Sequence, residues 1–451
     1  MITFRHRFIS WLIKAYLKKW GKQILLYFGI GLFVFFVSRL IFESVAGKIR
    51  VLRTETIGML GAYSTEDLPS AISYKISRGL TTVRRDGTVK PDVASKWKIK
   101  NNGKTYIFYL RRNIFFSDGT KFTSNDVRYN FADVSVKRPD NYTIEYSLKD
   151  SYSPFLITVS KPIFKKGLIG VSDYRVKDIK LNGNFVEHID LVSKNGNKVI
   201  YQFYPTISAL KIAFALGEVS KIVDMPDVDF RNTTFYTFKN AKVDKKPNYK
   251  RLTTLFYNTT DKLLSSKTIR EALSYAIPDN FDEGVRSFGP FPPFSFASER
   301  GVDPRRLDLE HAKLLLDKAR EAGEAAEKIS LTIETLAKYE DIAEVIANIW
   351  KSLNIDVDIK PVDKVPQAFQ IFLGEFNLPQ DVDQYMLWHS DQQSNITRYI
   401  NLRVDKLLED GRKEVDIEKR KKIYADFQKF IQADPPASFL FFPYTYDVTR
   451  K

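Results

Sequence analysis

Residues 24–42 read ILLYFGIGLFVFFVSRLIF, a run whose one charge, Arg39, stands near its far end. No polar face interrupts it, so it predicts a helix bathed in lipid rather than one packed in a soluble core, and it is long enough to cross a bilayer. The Arg39 stem is placed to snorkel to the headgroups. Ahead of the run, Phe8, Ile9, Trp11, Leu12, Tyr16 and Trp20 interleave with lysines, the pattern of a helix lying in the membrane interface. A cleaved signal peptide has a shorter apolar core and a small-x-small site. Ser44-Val45-Ala46 is only a fair match to such a site, so the reading favours a retained anchor.

After residue 50 the pattern changes and no second apolar span occurs. Strand-like runs at 94–100 and 105–110 flank Asn101-Asn102-Gly103, a turn whose residues tolerate positive φ, and predict a hairpin. A second turn follows at Ser117-Asp118-Gly119, and Thr123 or Ser124 is placed to cap a helix running to Phe131. From about 140 to 255 strand signals dominate, with turns at Asn182-Gly183-Asn184 and Asn195-Gly196-Asn197 and one helix over 207–216 closed by Gly217. From Ser265 helical periodicity takes over at 268–276, 308–322, 341–353 and 416–433, with short strands at 329–333 and 355–359. A β-rich first part and an α/β second part predict two lobes that meet near the strand 253–258, with a small-molecule cleft between them.

Charge is placed unevenly. The 451 residues carry 70 Lys and Arg against 54 Asp and Glu, a net +16, and the first 50 supply half of that excess, with Glu43 their sole acid. Arg5, Arg7, Lys14, Lys18, Lys19 and Lys22 precede the apolar run without one carboxylate, so the positive-inside rule predicts a cytoplasmic N-terminus and an external body from about Gly47. The remainder is mildly basic and has neither a zinc-finger spacing nor an aromatic RNA-binding pattern, which argues against nucleic acid as a partner. Without cysteine there are no disulfides, thiolate metal sites, cysteine nucleophile or lipid-modified N-terminal cysteine. His6, His188, His311 and His389 are scattered without metal-ligand spacing, and neither GxSxG nor GxxxxGK[ST] occurs, so neither catalysis nor a cofactor is expected.

Several short motifs follow one another through the body: Ile76-Ser77-Arg78-Gly79-Leu80, Arg85-Asp86-Gly87, Pro91-Asp92-Val93-Ala94-Ser95-Lys96-Trp97, Phe116-Ser117-Asp118-Gly119-Thr120 and Phe122-Thr123-Ser124-Asn125-Asp126-Val127. Farther on come Leu216-Gly217-Glu218-Val219, Arg270-Glu271-Ala272-Leu273-Ser274-Tyr275-Ala276-Ile277, Gly289-Pro290-Phe291-Pro292-Pro293 and Asp434-Pro435-Pro436-Ala437. In order and spacing, over about residues 53–446, this series resembles the family 5 extracellular solute-binding proteins, the peptide- and oligopeptide-binding receptors of ABC importers. The resemblance implies an α/β, bilobal, periplasmic-binding-protein-like type II fold, to which the apolar run adds an N-terminal transmembrane helix. Its divisions would be a cytoplasmic basic amphipathic segment (1–23), the transmembrane helix (24–42), a linker (43–52), a β-rich first lobe with a reduced accessory subdomain (53–257), an α/β second lobe (258–437) and a return segment toward the first lobe (438–451). Gly170-Val171-Ser172-Asp173-Tyr174 departs from the family's turn at that point, and the stop at Lys451, soon after Phe439-Leu440-Phe441-Phe442, is earlier than the family's, as in a truncated product.

In the family, the stretch corresponding to 381–390 lines the cleft, and an acidic residue near an Asp-Pro step receives a peptide's α-ammonium. A charged amine leaving water needs such a carboxylate. The resemblance implies Asp381 and Asp383 in that role, with Tyr385 and Trp388 as aromatic walls, although Val382 stands where the proline is expected. The competing reading makes Trp388 core and the aspartates turn residues. Asn258 either binds ligand through its amide or satisfies backbone, while Arg270 and Trp97 read as structural. The function implied is capture of peptides or similar small solutes for the membrane subunits of an ABC importer, at the extracellular or periplasmic face of the cell membrane. The other classes to be separated from it are a surface scaffold or sensory ectodomain that keeps the fold without transport, and an anchored hydrolase.

Overall fold

The structure is a computed structural model and describes residues 2–46, 53–298 and 304–451. Of the linker expected at 43–52, residues 47–52 lie outside the described residues. Ile2–Ala46 is one uninterrupted helix, so the amphipathic segment and the apolar span form a single rod with no break at Gly21. At about 1.5 Å per residue it is roughly 68 Å long, more than twice the ~30 Å hydrocarbon core of a bilayer. Its stretch Phe8–Leu40 is apolar enough to span and has none of its spanning window buried.

The body, Thr54–Lys451, forms a separate compact unit. Thr54–Leu60 runs parallel to Lys198–Tyr204 and to Lys221–Met225, and Phe185–Ser193 and Tyr174–Asn182 extend this group antiparallel. A second group places Ile329–Leu336 parallel to Ile355–Val362 and to Ile371–Asn377, with Arg251–Tyr257 antiparallel to the last. The C-terminal strand Ala437–Arg450 joins the groups: its first part pairs with Arg251–Tyr257 and its last part with Lys221–Met225 and Ala241–Pro247. The strand expected at the end of the first lobe, Arg251–Tyr257, is therefore hydrogen-bonded within the second group. Successive side chains on a strand face opposite ways, and here Leu255 and Tyr257 enter one core while Leu252 and Phe256 enter another.

Helices cover both faces of the second group. Lys267–Tyr275, Leu309–Glu321 and Glu340–Lys351 bury Ile269, Leu273, Leu316, Ile346 and Trp350 in the first core. In the last helix Ile342, Ala343, Ile346 and Trp350 share one stripe, the spacing of an amphipathic helix. Leu402–Lys413 and Ile417–Ala433 bury Leu408, Tyr424 and Phe427 in the other core. Ser266, Asp308, Asn401 and Asp416 cap four of these five helices through side-chain oxygens, and Gly217, at φ 90°, closes Ile207–Leu216 in the left-handed conformation that favours glycine.

A separate antiparallel sheet, ordered 94–100, 105–110, 143–148, 134–140, packs Tyr106, Phe108, Tyr146 and Phe155 beneath it. Its first hairpin turns through Asn101 and Asn102, both at φ 52°, and Gly103 at φ 87°. The helix expected to run to Phe131 is only the single turn Ser124–Asp126, capped by Thr123. Arg138 donates to the carbonyls of Ser124 (2.9 Å) and Val127 (2.8 Å), which a continuing helix would use as acceptors. Beyond it the Phe131 ring turns onto Phe155, 5.4 Å away.

Candidate functional site

A groove of about 900 Å³ opens in the body. On one side stand Glu66 and Asp67, the helix Ser70–Ile76 with its Tyr74, the turn 83–87 and residues 161–164. On the other stand Tyr249 and Lys250, the segment 292–294 and the segment 378–380. Residues 246–248, which lead from the first strand group to the second, lie between these walls. Lys246 is held there by Asp224 (3.1 Å) and Asp447 (2.8 Å). Partial burial works against its charge, but the two carboxylates outweigh it and keep the ammonium above its usual pKa.

The turn at 83–87 is locally built. Thr81–Val83 pairs with Val89–Pro91, the Arg84 amide donates to the Thr88 carbonyl at 2.8 Å, and Gly87 takes φ 86°. The Asp86 carboxylate accepts from the Thr88 hydroxyl (2.6 Å) and amide (2.9 Å), and the hydroxyl chiefly holds its pKa below the usual carboxylate range. At the tip, the Arg85 guanidinium lies 4.4 Å over the Phe294 ring and 5.9 Å from the Tyr249 ring, and those two rings meet edge to face at 4.8 Å. The groove thus offers cationic and anionic side chains, aromatic faces and backbone polar groups, a set suited to a zwitterion with variable side chains.

None of the five residues singled out from the sequence lines this groove. Asp381 is buried and forms a two-point ion pair with Arg420, one arm of it at 2.9 Å, and also accepts the Asp383 amide at 2.7 Å. Burial opposes the Arg420 charge, yet Asp381 more than offsets it and the guanidinium pKa is raised. The pair borders a cavity of about 260 Å³ whose other lining includes Trp97, Ile99 and Tyr106 of the small sheet. Asp383 accepts the Tyr385 amide (3.0 Å) and the Arg412 Nε (2.7 Å), so both candidate ammonium anchors are already matched internally. Tyr385 stacks on His389 at 4.1 Å and lies 4.0 Å beneath the Arg412 guanidinium. Trp388 is core, its Nε1 donating to Gln384 at 2.8 Å, with one edge on an apolar cavity of about 150 Å³. Asn258 donates to the Phe369 carbonyl (2.9 Å) and accepts from the Thr260 hydroxyl (2.8 Å), the backbone-satisfying alternative. Arg270 is likewise structural, bonded to the carbonyls of Pro435 (2.8 Å) and Leu264 (2.6 Å).

The residues missed are Arg85, Tyr249, Phe294 and their neighbours. Arg85-Asp86-Gly87 is visible in the sequence as a turn and the proline-rich stretch from Gly289 as a crossing, but nothing local says that the two face each other.

Three comparisons bear on this architecture. The model of the bacterial extracellular solute-binding proteins, family 5, matches residues 88–397. A probable D,D-dipeptide-binding periplasmic protein, DdpA of Escherichia coli strain K12, is 22% identical, with 82% of this chain and 83% of the relative covered. Among solved structures, the ABC transporter substrate-binding protein CtaP of Listeria monocytogenes superposes with a TM-score of 0.73 at 20% identity, covering 89% of this chain and 94% of that one. NikZ of Campylobacter jejuni, in complex with Ni(L-His), gives 0.67 at 21% identity, covering 88% and 94%. Both superpositions show a shared fold.

Proposed function

Because the chain belongs to the family 5 bacterial extracellular solute-binding proteins, whose members are substrate receptors rather than enzymes, we propose that it captures peptides in the groove and presents them to the membrane subunits of an ABC importer. The observation that carries this reading is the groove itself, about 900 Å³ and lined by segments that pack against both strand groups, with acids, bases and aromatic rings on its walls. A dipeptide-binding relative supports the ligand class. In this reading the two strand groups act as lobes, with 246–250 and the C-terminal strand as the connections that bend. A ligand touching both walls favours the closed arrangement by its differential affinity for it. The N-terminal helix holds the body at the outer face of the membrane, consistent with the basic excess on its leading half.

The test is thermal unfolding of the full chain in detergent micelles with and without pools of di- to pentapeptides. A ligand that binds only the native state stabilises it by RT ln(1 + [L]/Kd), about 2.7 kcal/mol at a hundredfold excess over Kd. A rise in melting temperature with peptide, and peptide recovered by mass spectrometry from gently purified protein, is the expected outcome. No shift with any pool, together with a homogeneous non-peptide solute in the extract, would overturn the peptide assignment. No shift and no extractable solute would favour the scaffold reading.

A further inference from the structure

Three cations in the groove, Arg85, Lys161 and Lys250, have no ion-pair partner among the described residues, while a fourth, Arg84, lies in the field of Asp86; two acids, Glu66 and Asp67, likewise have no ion pair. An excess of exposed charge is by itself weak evidence, because solvated lysines and arginines are common on any surface. Arg85 differs because it is held. Its turn is pinned internally by the bonds around Thr88 and externally by the Phe296 amide, which donates to the Asp86 carbonyl at 2.9 Å. Its guanidinium rests 4.4 Å over Phe294, which Tyr249 supports from the edge. The one carboxylate in the turn, Asp86, is bonded to Thr88 and forms no ion pair with Arg85. Ring faces use none of the five N–H donors of a guanidinium, so the fork stays available and positioned.

We propose that Arg85 is an oxyanion site, and that the solute this chain takes presents a carboxylate to it. The proposal rests on the peptide-capture reading and narrows it: the fork pairs with two carboxylate oxygens at once, which a peptide's free C-terminus or an acidic side chain supplies and a neutral solute does not. The platform also connects the walls, since Arg85 comes from the turn at 83–87 and its rings from 249 and 294. A carboxylate docked there reinforces contact between the two sides.

The experiment is calorimetric titration of the full chain in detergent with three tetrapeptide pools: free acids, the same sequences amidated at the C-terminus, and amidated sequences containing one Asp or Glu. Losing a charge-assisted pair weakens binding by about ten- to a hundredfold. Amidation of neutral sequences is expected to cost that factor. Recovery in the third pool identifies a side-chain carboxylate as the natural group, and no recovery identifies the main-chain end. Arg85→Gln is expected to lose the same factor for free acids and to leave amides unaffected, and Arg85→Lys, which keeps charge without the fork, to fall between. The comparison among pools needs no variant. Equal binding of all three pools by the unaltered chain overturns the oxyanion site while leaving peptide capture standing. Failure of every pool to bind overturns both.

Discussion

Replacing Asp381 separates the two roles open to it. Asp381→Asn keeps the side chain's size but leaves Arg420, only 5% exposed, without its principal counter-charge. Breaking a buried ion pair from one side typically costs about 3–5 kcal/mol, because the remaining charge stays desolvated. Asp383 also favours the Arg420 charge and remains in place, so the lower end of that range applies. With an unfolding entropy of about 2.1 cal/mol/K per residue over the roughly 400 residues of the body, 3 kcal/mol corresponds to a fall in melting temperature of about 4 °C if the body unfolds as one unit. Adding Arg420→Met removes the stranded charge and recovers most of the loss. What remains is the bond from the Arg420 Nε to the Gly411 carbonyl at 2.8 Å, worth about 1 kcal/mol. The assay is a double-mutant cycle by calorimetric melting, with peptide titration of each variant alongside. An unchanged melting temperature for Asp381→Asn, accompanied by loss of peptide binding, would refute the internal-pair reading and restore Asp381 as a ligand anchor.

Three further expectations can be checked independently. A Cβ on Gly170 would stand 2.1 Å from the Ile76 carbonyl oxygen, so Gly170→Ala should destabilise by about 1–3 kcal/mol or more in chemical denaturation, whereas Gly289→Ala, whose Cβ would meet nothing closer than 3.5 Å, should change stability little. Burial pushes the Glu375 carboxyl up, but Lys338 at 3.0 Å and the Tyr339 hydroxyl at 2.8 Å outweigh it and hold its pKa below the usual value. Its contribution is therefore complete above the unfolded-state pKa and is lost as pH falls through the folded one. Lys338→Met should lower stability at neutral pH by less than ~1 kcal/mol, since Lys338 is half exposed, and the deficit should vanish in acid once Glu375 is protonated in both states. The chain has no cysteine, so single cysteines report topology cleanly. A membrane-impermeant maleimide on intact cells should label Ser135→Cys and spare Ser10→Cys, and the reverse result would sink the orientation.

What could be read ahead of the structure, and what could not, divides by how local the deciding interaction is. The helices Leu309–Glu321 and Ile417–Ala433 announce themselves because Asp308 and Asp416 each cap amides two or three residues away, and the turn at Asn101 to Gly103 because three consecutive residues share a left-handed tolerance. The helix expected to reach Phe131 failed for a non-local reason: Arg138, on a neighbouring strand, claims the carbonyls. The residues singled out at 381–390 are likewise engaged by distant partners. Residues 381–390 attract attention because carboxylates, aromatics and a histidine are dense there, but that density ties a loop to two helices: Asp381 meets Arg420, 39 positions on, and Asp383 meets Arg412, 29 positions on. Satisfied charges of this kind are indistinguishable in sequence from charges waiting for a ligand. The groove is assembled instead from short segments near 70, 85, 162, 249, 293 and 379, each unremarkable in composition. Arg85 becomes a candidate only when the ring beneath it, more than two hundred positions away, is seen together with a neighbouring carboxylate already engaged elsewhere. In a receptor of this kind a binding residue is recognised by what fails to satisfy it inside the protein, and that information resides in tertiary contacts.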